Sequence, residues 1–152
     1  MKYRLVTCAC AIAALLGSGS ALAASKNVII NANVVGTCAF VDAGDVTINM
    51  GDLKAGSGDQ SKAGNTSFWC SNGITYNLST NDGLNHDGAQ KNMLAGANKL
   101  PYELSLDKTS GTGQGIAAPE QLTLTAAVKG SDLDTAAVAS GYTDTVVLTL
   151  TP

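Results

Sequence analysis

Gly141-Tyr142-Thr143-Asp144-Thr145-Val146-Val147-Leu148-Thr149-Leu150, near the end of the 152-residue chain, places Val146, Leu148 and Leu150 at every second position. Successive side chains of an extended chain point to opposite faces, so this spacing predicts a strand with one apolar face. The same period recurs upstream. Val28, Ile30, Ala32 and Val34 form one set, Val46, Ile48 and Met50 a second, and Phe68 with Cys70 a third. Ile74, Tyr76 and Leu78 come next, then Leu100, Tyr102, Leu104 and Leu106, then Leu122, Leu124, Ala126 and Val128. Turn-rich stretches such as Gly56-Ser57-Gly58-Asp59, Asn72-Gly73 and Asn81-Asp82-Gly83 separate them. Only Asp132 to Ala139 reads as a short helical turn. Short amphipathic strands at these intervals predict an all-β chain folded as an immunoglobulin-like sandwich.

The N-terminal end reads differently. Lys2 and Arg4 precede an uncharged apolar run from Leu5 to Leu16, followed by small residues ending at Ala21-Leu22-Ala23. This is the pattern of a secretory signal peptide, residues 1–23, with cleavage after Ala23 or Ala24. The run is too short for a membrane anchor, so no membrane insertion is expected. Removal of Lys2 and Arg4 takes the basic residues from 9 to seven lysines against 12 acidic residues, a net charge of −5 with no arginine. That balance offers no electrostatic footprint for nucleic acid. Cys8 and Cys10 leave with the signal peptide, and Cys38 and Cys70 remain to pair in an oxidising compartment.

No catalytic or metal constellation emerges. His86 is the sole histidine, and no G-x-S-x-G elbow occurs. The Asn81 to Gly88 turn has Gly83 and Leu94 where a calcium loop of the EF-hand kind needs acids. Gly111-Thr112-Gly113-Gln114-Gly115 lacks the Lys-Ser/Thr and helix of a phosphate loop and reads as a flexible hairpin loop. No cofactor is expected. Tyr76 and Tyr102 read as core residues, Trp69 as partly exposed, and Asp144 as a cap of the turn before the last strand.

The chain begins, after the signal peptide, with the alternating segment Lys26 to Val35, ending just before Gly36-Thr37-Cys38. An N-terminal strand of this kind can pair at a sheet edge in its own domain or in another molecule. The motifs Phe68-Trp69-Cys70-Ser71-Asn72-Gly73, Ile74-Thr75-Tyr76-Asn77-Leu78, Met93-Leu94, Leu100-Pro101-Tyr102-Glu103-Leu104-Ser105-Leu106-Asp107 and the ending from Gly141 to Leu150 extend the pattern. Together they resemble the subunits of archaic chaperone-usher pili, which share the spore coat protein U domain. Leu106, Lys91-Asn92-Met93 and the terminal Pro152 depart from the family's usual residues.

That resemblance implies an incomplete immunoglobulin-like domain, residues 36–152, lacking one strand. It implies a periplasmic chaperone that fills the resulting groove, an outer-membrane usher, and neighbouring pilin subunits that replace the chaperone strand in a head-to-tail homopolymer. The donor strand would lie in residues 24–35 and present Val28, Ile30, Ala32 and Val34; the groove strand where the chaperone docks would carry Val146, Leu148 and Leu150. The implied role is structural and not enzymatic: a fimbrial subunit, exported through the periplasm to a cell-surface pilus, that supports attachment and biofilm growth. The competing expectation is a self-contained secreted coat or binding protein with the same sandwich.

Overall fold

A computed structural model describes residues 23–152. All but the last residue of the expected signal peptide, with Cys8 and Cys10, lies outside the described residues. The chain divides after Asn33 into two units. From Ala23 to Asn33 the first forms neither helix nor strand, and Val28, Ile29 and Ile30 are exposed.

The second unit, Val34–Pro152, holds eight strands and one helix. These are β1 (Cys38–Phe40), β2 (Gln60–Cys70), β3 (Thr75–Thr80), β4 (Lys91–Ala95), β5 (Asn98–Leu106), β6 (Ser110–Thr112), β7 (Glu120–Val128), α1 (Gly130–Thr135) and β8 (Leu148–Thr151). They form a five-stranded sheet in the order β1-β2-β7-β5-β4 and a three-stranded sheet in the order β6-β3-β8, with every pairing antiparallel.

Alternation explains why the sheets stack. Along β7, Leu122, Leu124, Ala126 and Val128 are buried while the residues between them are more open. Leu122 and Leu124 meet Phe68 and Cys70 of β2 and Tyr76 and Leu78 of β3, so the core is shared by both sheets. Phe68 and Tyr76 pack edge to face with centroids 4.9 Å apart. Burying each such side chain contributes about 1.5–3 kcal/mol. The Tyr76 hydroxyl donates to Glu120 Oε2 at 2.7 Å, and burial together with that bond pushes the phenol up to about 12. A second cluster gathers Leu100, Tyr102, Ala126, Val128 and Leu133 of α1.

The two cysteines face each other across the first ladder, Cys38 opposite Cys70, and are joined as a disulfide. Trp69, next along β2, is half-buried.

Several elements depart from the sequence pattern. The helix begins at Gly130 and ends at Thr135, earlier than Asp132 to Ala139, because the backbone is extended at Ala136. Asp132 lies in its first turn, where a carboxylate favours the exposed amides. Gly111 and Thr112, expected in a flexible loop, belong to β6 and pair with β3; Gly111 gives the Tyr76 ring room, since a Cβ there would strike it. β4 was hidden because it opens with Lys91 and Asn92. Asn92 is buried nonetheless, its amide donating to the carbonyls of Asn85 and Gln90. Residues 46–50 alternate between half-buried and exposed but form no strand, residues 28–34 are exposed throughout and form none either, and β8 starts only at Leu148.

Candidate functional site

The unpaired segments lead to the site. Val46, Ile48 and Met50 are half-buried and Thr47 and Asn49 exposed, the alternation of a strand. No backbone hydrogen bond joins this segment to a neighbour among the described residues. The side chains of Val46 and Ile48 lie directly over Gly64 on the inner face of β2, where a Cβ would come within 2.8 Å of each.

The opposite wall is the approach to β8. Thr143 exchanges both backbone bonds with Leu94, the Thr145 carbonyl accepts from the Leu84 amide, and the Val147 carbonyl accepts from the Asn81 amide. The Val147 amide donates to Asn81 Oδ1. All these odd-numbered residues turn their peptide groups toward the Asn81–Leu94 side. Peptide groups alternate in direction along an extended chain, so those of Asp144, Val146 and Leu148 face the other way. No strand pairs with that edge among the described residues.

Between the walls runs a groove of about 830 Å³. Leu124 and Ala126 of β7, Leu104 of β5 and Thr66 of β2 form its floor. Val46 belongs to the same apolar cluster as Leu148, whereas Met50 belongs with Tyr142 and Val146. The two walls are therefore antiparallel. The groove runs beside the approach to β8, along the edge with which no strand pairs among the described residues.

Its two ends differ chemically. At the Met50 end the Tyr102 hydroxyl donates to Asp144 Oδ2 at 2.7 Å, and the amides of Leu84 and Asn85 donate to Oδ1 at 3.1 Å. Burial and the carboxylate push the Tyr102 phenol well above its ordinary range. Gly83, at φ 89°, leaves the space Asp144 needs. At the Val46 end, Asp42 and Asp45 line the mouth, exposed and without an ion pair among the described residues.

The Spore Coat Protein U domain model matches residues 24–149. This chain belongs to the spore coat protein U domain family. A solved structure, described as the CsuC-CsuE chaperone-tip adhesion subunit pre-assembly complex from archaic chaperone-usher Csu pili of Acinetobacter baumannii, is similar at 17% identity with a TM-score of 0.45. The likeness covers 77% of this chain and 40% of that one, so this chain spans about two fifths of its length. No curated protein matches the sequence.

Within this spore coat protein U domain, Val146 and Leu148 stand on the groove wall, while Leu150 packs half-buried against the core beyond the groove lining. Val28, Ile30, Ala32 and Val34 are all exposed, Ile30 at 87% and Val34 at 96%. Asp144, expected to cap the turn before the last strand, instead accepts from the amides of Leu84 and Asn85, far away in sequence. The Tyr102 link and the wall role of residues 46–50 had no local signal. His86 is exposed, with Nδ1 2.9 Å from the Gly88 carbonyl. Among the described residues no group of three or more His, Cys, Asp or Glu side chains is placed to hold a metal ion, and no helix is long and apolar enough to cross a membrane.

Proposed function

We propose that this protein is a structural subunit of a chaperone-usher pilus that polymerises by donor-strand exchange. The observation that carries the reading is the half-buried apolar groove, bounded by two extended segments whose inner peptide edges are open. Membership in the spore coat protein U domain family supports it. A periplasmic chaperone strand fills the groove first; at the outer-membrane usher, residues 24–35 of the next subunit replace it. Main-chain bonds to both edges give affinity, and Val28, Ile30, Ala32 and Val34 seated on the floor give register.

Val28 to Val34 matches Tyr142 to Leu148 in length, and each spans roughly 20 Å at about 3.3 Å per residue. Each buried Val or Ile adds about 1.5–3 kcal/mol against the ordering of the arm. The contact is heterologous and does not close, so it propagates as a fibre. The fibre is displayed at the cell surface after export through the periplasm, and serves attachment and biofilm growth.

Sheared surface material run in SDS, unheated and heated, tests this. The expected result is an unheated ladder at multiples of the subunit mass that collapses on heating and disappears when residues 25–35 are deleted. Replacing Ile30 with Asp should also abolish it, because a carboxylate buried there has no partner. A single monomer band from intact, well-expressed protein under all conditions would overturn the reading in favour of a self-contained coat or binding protein.

A further inference from the structure

The unequal ends of the groove bear on how an arm enters it. Lys26 is the sole charged residue between Ala23 and Val41, so the arm carries its charge at one end and apolar residues at the other. The groove is polarised in the complementary sense. Asp42 and Asp45, at the Val46 mouth, are exposed and have no ion pair among the described residues, whereas the Asp144 carboxylate at the Met50 end already accepts from Tyr102, Leu84 and Asn85.

We propose that the acidic mouth formed by Asp42 and Asp45 receives Lys26 of a second copy of this chain, and so fixes the direction in which that copy's arm lies in the groove. The inference rests on the pilin reading and adds to it a recognition element outside the apolar stripe. With Lys26 at this mouth, the arm runs parallel to residues 46–50 and antiparallel to residues 142–148. Val34 then reaches the Met50 and Tyr142 end, where Met50 and Met93 line the groove and the Asp144 carboxylate is already satisfied. The reverse direction would set Val34 and Val35 against two exposed carboxylates and bring Lys26 to a carboxylate with three donors already in place.

Exposed ion pairs contribute little to affinity but bias encounter and suppress wrong pairings. The effect should therefore appear in the rate of strand exchange, as a loss of up to about fivefold, and should fade as salt rises.

Two measurements on the full-length protein, exported with its own chaperone and usher, test the proposal. In the first, Lys26→Glu slows ladder formation at low salt, Asp42→Lys with Asp45→Lys does the same, and the combined charge-reversed protein recovers. In the second, Lys26→Cys with Asp45→Cys gives a disulfide between subunits, while Lys26→Cys with Thr143→Cys does not. Assembly of Lys26→Glu at the wild-type rate, or crosslinking through Thr143→Cys in place of Asp45→Cys, overturns the polarity argument while the ladder itself still stands. Absence of a ladder from the unaltered protein instead counts against donor-strand exchange.

Discussion

Gly64 offers a sharp test of the groove wall. It lies on the inner face of β2, opposite Leu124 of β7, and a Cβ built there falls 2.8 Å from Cγ1 of both Val46 and Ile48. Both neighbours are β-branched and stiff at χ1, so neither can swing a flexible end aside. The segment must move off the sheet, and crowding of this kind costs about 1–3 kcal/mol. Gly64→Ala should lower the urea midpoint of the purified mature protein, followed by Trp69 fluorescence, by that equivalent. It should also thin the unheated SDS ladder, because the wall that would pair with an incoming strand is displaced. Gly44→Ala is the control: it lies nearby, its φ is not positive, and a Cβ there meets nothing within 4 Å. Adding Val46→Ala to Gly64→Ala should restore part of the loss, with the double change costing less than the two single changes together by at least about 0.5 kcal/mol. If Gly64→Ala matches Gly44→Ala in both assays, the packing of residues 46–48 on β2 does not define the groove.

Two further outcomes can be measured on the same material. Replacing Cys38 and Cys70 with Ser opens a loop with a sequence separation of 32, and should lower the unfolding free energy by about 3–4 kcal/mol in the chain-entropy account; a loss under about 1 kcal/mol in urea titration would refute that account here. The raised Tyr76 phenol predicts a pH window. The folded state holds this proton more tightly than the unfolded state, so the stabilisation is intact below pH 10.0 and is lost as pH rises from there to about 12. Thermal midpoints across that window should fall less steeply in Tyr76→Phe, and equal slopes would show that Tyr76 does not carry the effect.

The strands legible in the sequence are those whose alternation coincides with a partner on both sides or with deep burial, such as β7 and β5. Residues 46–50 carry the same alternation yet form no strand, because a strand exists only where a neighbour accepts and donates along its edge. β4 shows the converse: Lys91 and Asn92 break the apolar pattern, but the Asn92 amide finds two carbonyls and can be buried. The groove residues Val146 and Leu148 could be named because they lie on one alternating run. The wall at Val46, Ile48 and Met50 and the link from Tyr102 to Asp144 depend on contacts between distant parts of the chain, which no local spacing encodes. The disulfide was readable from cysteine arithmetic once Cys8 and Cys10, in the expected signal peptide, were set aside.

The position of that disulfide determines where tension would travel in a fibre so assembled. The arm leads through Val35, Gly36 and Thr37 directly into Cys38, the first residue of a strand only three residues long. A pull on the arm would strip β1 from β2 one rung at a time if hydrogen bonds alone held it. The bridge to Cys70 is the first point the load meets, and it hands the force to β2, which is sheared against β7 over the run from Gln60 to Phe68. Stretched, such a fibre would yield at the joint between an arm and its neighbour's groove while each domain kept its shape.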